Sequence, residues 1–227
     1  MAVTMQDNSQ TTPVPAARHE RGLSAGFWDR IAERYARKPV TDPGAYETKL
    51  VLTREYLKPD MKVLELGCGT GSTAIAHAPY VASIRAVDIS SKMIEIARRK
   101  VAAANIKNVA FEQSSIEDLV VANQSIDVVM GHSILHLLKE KDAVIRRVYD
   151  MLKPDGIFVT STMCMSDSYN WFRFVAPVGR ALGLIPFVTF FSAVQLRDGI
   201  TRAGFEFEED WQPAPDKALF LIVSKKD

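Results

Sequence analysis

The sequence predicts an α/β fold: a mainly parallel sheet with helices on both faces that ends in an antiparallel hairpin. Three observations lead there. From Met61 to Leu152, short apolar runs alternate with stretches of helical period. Those stretches are long enough to serve as right-handed crossovers between parallel strands. Past Phe205, two apolar runs follow one another across the short turn "PAPD", which makes an antiparallel pair.

Each element has its own reason. Gly26 to Lys38 reads as a helix, because Phe27, Ile31 and Tyr35 recur one helical turn apart, and Pro39 ends it. Tyr46 to Leu57 carries Leu50, Val51 and Leu57 on a similar stripe and stops at Pro59; the two helices form an N-terminal cap over 25–58. "KVLEL" is then a strand, "STAIAHA" a helix, "SIRAVDIS" a strand, and Lys92 to Ala104 a helix with Ile94, Ala97 and Val101 inward. "NVAFEQ" (strand), "SIEDLVV" (turn or short helix), "IDVVMG" (strand), Lys139 to Leu152 (helix) and "GIFVTST" (strand) continue the alternation. "KPDG" reads as the turn before the last of these, with proline presetting one dihedral and glycine allowing a positive one. A helix over Ala193 to Ala203, a strand over Phe205 to Trp211 and "KALFLIV" complete the chain.

The composition bounds what this fold does. The chain has 227 residues and a 47% hydrophobic fraction, enough for one domain over 25–227. Residues 1–24 are polar, lack the apolar core of a secretory signal and read as a flexible lead-in. With 28 basic against 27 acidic residues and a net charge of +1, nothing points to nucleic acid as a partner. The two cysteines, Cys68 and Cys164, form no C-x-x-C pair, which is the usage of a reducing, cytoplasmic compartment. No uninterrupted apolar run reaches membrane-spanning length; the nearest approach, Trp171 to Phe191, is broken by Arg173, Pro177, Arg180 and Pro186.

"VLELGCGTGS", Val63 to Ser72, places Gly67, Gly69 and Gly71 directly after the first strand, in the loop that borders the ligand crevice of a parallel sheet. Bare backbone turns sharply and approaches a ligand closely, and the helix that follows points free N–H groups at it; a tight turn between packed elements is the plainer reading. Asp88 ends the next strand about 20 residues on, where an acidic side chain accepts from the two ribose hydroxyls of a nucleoside. It also suits a helix cap, since Ser90 and Ser91 follow. The spacing is G-x-G-x-G, and Ser72 stands where dinucleotide enzymes place their third glycine.

"VLELGCGTGS", "AVDIS", "FEQSSIEDL", "IDVVMGHSILHLL" and "MLKPDGIFVTST", in this order, resemble the successive motifs of the class I S-adenosylmethionine-dependent methyltransferases, of the small-molecule type, over about residues 27 to 223. The resemblance implies a Rossmann-like seven-stranded sheet with an antiparallel last strand, and S-adenosylmethionine as methyl donor with S-adenosylhomocysteine as product. Carried over position by position, it implies that Glu65 and Gly67, Cys68, Gly69, Thr70 and Gly71 hold the methionine part and Asp88 the ribose. Ile89 and Met93 would flank the adenine. Ser115 stands where many relatives have Asp, which leaves adenine packing to Ile116; for Ile89, Met93 and Ile116, ordinary core packing remains an equal reading.

Methyl transfer is a direct displacement, so the protein mainly aligns donor and acceptor and excludes water; a base is needed only for a weak nucleophile such as a hydroxyl. "GHSILHLL" sets His132 and His136 one helical turn apart at the fourth strand's end. His136 is the candidate base or acceptor-orienting group, with packing or a cap hydrogen bond as alternative, and His132 the candidate for cofactor or backbone contact. No metal is implied, because the catechol type carries an acidic set where this chain has Gly131 and His132. The tetrapeptide of DNA amino-methylating relatives and the Pro-Cys of C5-cytosine relatives are absent as well.

A small, apolar or lipid-like acceptor remains. Trp28, Tyr35 and Tyr46 of the helical cap supply aromatic surface to close over the donor, and the apolar stretch over 165–191, with Trp171 and Phe172, reads as a lid inserted after the fifth strand. That stretch also suits peripheral contact with a membrane surface, or a dimer face, so monomer and homodimer both stand. Two other function classes compete: an NAD(P)-dependent oxidoreductase, disfavoured by the glycine spacing and the terminal hairpin, and a non-catalytic subunit that keeps the cofactor loop but modifies nothing.

Overall fold

A computed structural model describes residues 15–214 and 216–226, with side chains from Ser24 onward. Among them the chain folds as α1 (Pro15–Arg37), α2 (Pro43–Arg54), β1 (Lys62–Leu66), α3 (Ser72–His77), β2 (Ser83–Asp88), α4 (Ser91–Ala103) and β3 (Val109–Gln113), then β4 (Ile126–His132), α5 (Lys141–Met151) and β5 (Leu152–Thr162). Two short helices, α6 (Met165–Ser168) and α7 (Ala176–Ala181), precede α8 (Ala193–Arg202), β6 (Phe205–Trp211) and β7 (Leu219–Lys225). Three 3-10 segments lie at Ala78–Tyr80, Leu135–Leu137 and Asn170–Phe174.

The strands form one seven-stranded sheet in the order β3-β2-β1-β4-β5-β7-β6. β7 runs antiparallel to both β5 and β6, and the remaining pairs are parallel. Side chains alternate across the pleat, so the apolar runs feed two cores. Leu64, Leu66, Val129, Phe158 and Leu221 face α5 and α8 on one side; Val63, Val128, Met130, Val159 and Ile222 face α3 and α4 on the other. At the edge, β6 exposes Glu206 and Glu208, charges that discourage pairing with another strand.

The cap is tied to the sheet's helical layer by its acids. Asp29 of α1 accepts from Ser90 Oγ at 2.6 Å and Lys92 N at 3.0 Å, and Glu33 pairs with Arg99 at 2.7 Å. Ala32 packs with Met93 and Ile96 beneath them. α2 buries Leu50 and Thr53. No helix among the described residues is long and apolar enough to cross a membrane.

Two details differ from the sequence-based expectation. Residues 1–14 of the expected flexible lead-in lie outside the described residues, whereas 15–24 are helical and extend α1 ahead of Gly26. "KPDG" does not form a turn before β5 but lies inside it: the pairing shifts from Ile126↔Leu152 to Val128↔Ile157, a bulge opposite β4. Leu152, fully buried, already belongs to the strand, and Asp155 rather than glycine takes the positive φ of 58°.

Candidate active site

The loops after β1 and β4 meet at the carboxyl ends of the parallel strands, on either side of the point where strand order reverses. A cavity of about 820 Å³ opens there. Gly67, Gly69 and Asp88 line it together with Ile89, Met93, Ile116, His132, Ser133 and His136.

Two of the glycines do different work. Gly69 has φ +52° and a Cβ built on it would meet nothing within 4 Å, so its missing side chain leaves open space in the cavity. Gly71, with φ +75°, is needed for packing: a Cβ there would lie 2.5 Å from Phe111 Cζ and 2.9 Å from Ala97 Cβ. It also forms the N-cap of α3.

Asp88 is held from both sides, with Oδ2 accepting from Gly69 N at 2.8 Å and Oδ1 from Ser90 N at 2.9 Å. Burial raises its pKa, and these N–H donors act against that rise. Ser90 in turn caps α4, its Oγ accepting from Met93 N at 3.1 Å. The strand-end acid is thus bonded to the first loop and lines the cavity as well.

Glu65 lies behind the loop, only 2% exposed. Burial pushes its pKa up to about 8, a backbone hydrogen bond from Ala74 opposes this, and Oε2 has no partner among the described residues. Tyr46 sits nearby, half-buried and hydrogen-bonded to Thr73, its phenol pKa raised first by burial and further by the Glu65 charge. Thr70 Oγ1 accepts from Lys100 Nζ at 2.9 Å, and Cys68 is buried, its backbone N–H donating to Val87 O at 3.0 Å. Glu65, Cys68, Thr70, Gly71 and Tyr46 do not line the cavity; they shape the loop from behind.

The two histidines share the cavity but not a helical face. His132 ends β4, Ser133 turns the chain with φ 54°, and His136 sits in the 3-10 segment, so a left-handed residue separates them. The Nε2 of His132 is buried without a hydrogen-bond partner, and burial, with His77 and Lys49 nearby, lowers its pKa to about 3. His136 donates its backbone N–H to Thr162 Oγ1 at 3.2 Å, its Nδ1 lies 2.9 Å from the same oxygen, and burial lowers its pKa to about 4.

Trp28 and Tyr35 of α1 also line the cavity, rings edge to face with centroids 6.3 Å apart. Burial and the Asp88 charge raise the Tyr35 phenol pKa. From the 165–191 stretch, Trp171 and Phe172 do not reach the cavity. They pack on each other, 5.8 Å between centroids, with Trp171 63% exposed, while Arg180, Pro186 and Phe187 of the same stretch line the wall. Sequence reasoning missed these three, Ser133, and the α5 residues Val144 and Arg147. It also missed Lys49, which donates to Ser161 Oγ at 2.7 Å beside the end of β4. Among the described residues no group of His, Cys, Asp and Glu side chains is placed to hold a metal ion.

A family profile described as "Methyltransferase domain" matches residues 57–182. The uncharacterized methyltransferase YcgJ of Bacillus subtilis is 30% identical over 132 residues, covering 58% of this chain and 52% of the relative. A demethylmenaquinone methyltransferase of Symbiobacterium thermophilum is 30% identical over 157 residues, covering 66% of this chain and 61% of the relative. The chain therefore spans little more than half the length of these curated relatives. The crystal structure of YcgJ superposes with a TM-score of 0.67 at 19% identity, over 80% of this chain and 99% of that one. By sequence profile and sheet order alike, the chain belongs to the class I S-adenosylmethionine-dependent methyltransferases.

Proposed function

We propose that the chain transfers a methyl group from S-adenosylmethionine to a small, apolar or lipid-like acceptor. The observation that carries this reading is the hydrogen bond from Gly69 N–H to the Asp88 carboxylate in a cavity that is also lined by the histidines and by Leu137, Leu138, Val144, Pro186 and Phe187. The residues present fit the cofactor. Asp88 offers carboxylate oxygens to ribose hydroxyls, the bare face of Gly69 admits close approach, and Ile89, Met93 and Ile116 offer apolar surface to an adenine. When bound, the cofactor supplies a methyl group on a sulfonium, an already activated electrophile.

The chain's own work is then to bind, orient and keep out water. Asp88, held by Gly69 and Ser90, meets the sugar without having to reorganise. His136 stays neutral near pH 7; with its proton on Nδ1 donating to Thr162 Oγ1, the Nε2 lone pair is available to orient or deprotonate an acceptor hydroxyl. Phe187 and Pro186 close the acceptor side with apolar surface.

Calorimetry with S-adenosylhomocysteine and with NAD tests the cofactor, and binding of the first alone is expected. Methyl-labelled donor, incubated with the protein and a pool of apolar acceptors that includes demethylmenaquinone, should then label the organic phase. Binding of NAD instead, or no labelled product in any pool, would overturn the reading.

A further inference from the structure

The 165–191 stretch has two faces. Its inner face contributes Arg180, Pro186 and Phe187 to the cavity. Its outer face presents Trp171, Phe174, Val178, Leu182 and Leu184, each between 62% and 79% exposed. Large apolar side chains at such exposure, gathered on one short stretch, mark a surface that meets something apolar.

Charge indicates what that is. Between Asp167 and Asp198 the sequence holds no acidic residue, while Arg173 lies within it. The Asp167 carboxylate is itself occupied, accepting from Ala193 N at 2.8 Å. The stretch joins α1 through Arg30, which donates to Gly183 O. Arg34 follows Arg30 one turn on in α1, and Lys38 lies just past the helix end at Arg37; both are exposed, so basic residues continue from Arg30 to the end of the helix. The α1 acids whose side chains are described are turned elsewhere, Asp29 onto the start of α4 and Glu33 onto Arg99. An apolar patch with a tryptophan and a basic border matches the interface of an anionic bilayer. A second copy of the chain would instead bring the same positive border against itself.

We propose that the outer face of residues 165–191, with Arg30, Arg34 and Lys38, docks on an anionic phospholipid surface. Docking there sets the cavity wall beside the lipid, so an acceptor dissolved in the bilayer has a short path inward. That consequence rests on the methyl-transfer reading, whereas the docking does not.

Flotation of the full chain with vesicles tests it, using pure phosphatidylcholine against mixed phosphatidylcholine and phosphatidylglycerol. Partitioning onto the mixed vesicles should be at least about tenfold stronger and should weaken with added salt. The double variant Phe174→Glu, Leu182→Glu should lose it while keeping the thermal transition and S-adenosylhomocysteine affinity of the parent, and Arg34→Glu should reduce the preference for phosphatidylglycerol. Equal partitioning of parent and double variant, no partitioning at all, or a dimer in sedimentation velocity that the double variant dissolves, would overturn the proposal. S-adenosylhomocysteine binding is read separately, so failure of docking and failure of the methyltransferase reading are told apart.

Discussion

Gly69 donates its backbone N–H to Asp88 Oδ2 at 2.8 Å, which joins the first loop of the sheet to the tip of the neighbouring strand before any ligand arrives. The bond orients the carboxylate, which lines the cavity.

Asp88→Ala should therefore lower S-adenosylhomocysteine affinity about tenfold or more, the equivalent of 1–2 kcal/mol in charge-assisted hydrogen bonds. Titration calorimetry on a variant whose circular dichroism matches the parent checks this, and undiminished affinity would remove Asp88 from the site.

Gly69→Ala and Gly71→Ala should fail in different ways. Both put a side chain at positive φ, a cost of about 1–2 kcal/mol. At Gly71 the new Cβ also strikes Phe111 and Ala97, and overpacking adds about 1–3 kcal/mol, so the thermal transition should fall most there. At Gly69 the Cβ enters open cavity, so the thermal loss should be smaller and the loss of cofactor affinity larger. Melting curves paired with ligand titrations separate the two.

The contrast between these glycines also marks what could be read without coordinates. The strands were legible because Val63 and Leu64, like Val128 and Val129, must feed opposite cores, and a continuous apolar run is the only sequence that does so. Gly69 and Asp88 stood out because bare backbone and a strand-end acid at that spacing suit a nucleoside, and the structure brings the two together in one cavity. Phe187 was not. Within an apolar stretch, whether Phe187 or Trp171 turns inward depends on packing against the rest of the molecule, here the Arg180 guanidinium 4.8 Å over the Phe187 ring. Lys49 and Ser161 were invisible for the same reason, since their contact joins the cap to the far end of β5. "KPDG" misled because turn chemistry also serves a bulge, and the register with β4 decides which forms.

For a hydroxyl acceptor, His136→Gln should lower kcat about 100-fold while leaving S-adenosylhomocysteine affinity unchanged, since general-base contributions run at that scale or above. Thr162→Val removes the oxygen that sits 2.9 Å from Nδ1 and should lower kcat by a smaller factor with KM nearly constant. Because burial holds the imidazole near a pKa of about 4, kcat should not show a histidine titration between pH 6 and 8. A full kcat in His136→Gln would exclude it from the chemistry.

Stability of the free protein should change slope near pH 6.5, and Glu65 sets the alkaline side. Its pKa is about 8 when folded against an ordinary 4.5, so its contribution is fully present below pH 4.5 and lost as pH rises through 8. His132 and His136 act oppositely: with folded values of about 3 and about 4 against 6.5, their contribution is present above 6.5 and lost as pH falls through the folded values. From pH 8 down to 6.5 the folded state holds the extra proton on Glu65; from 6.5 down to 4.5 the unfolded state gains protons on His132, His136 and the likewise depressed His77, and the balance reverses. Each net proton corresponds to about 1.4 kcal/mol per pH unit. Glu65→Gln keeps the shape and removes the titration, so urea unfolding of the variant should lose the decline above pH 6.5 that the parent shows while retaining the acid limb. An identical alkaline decline in parent and variant would mean that Glu65 is already ionised in the folded protein.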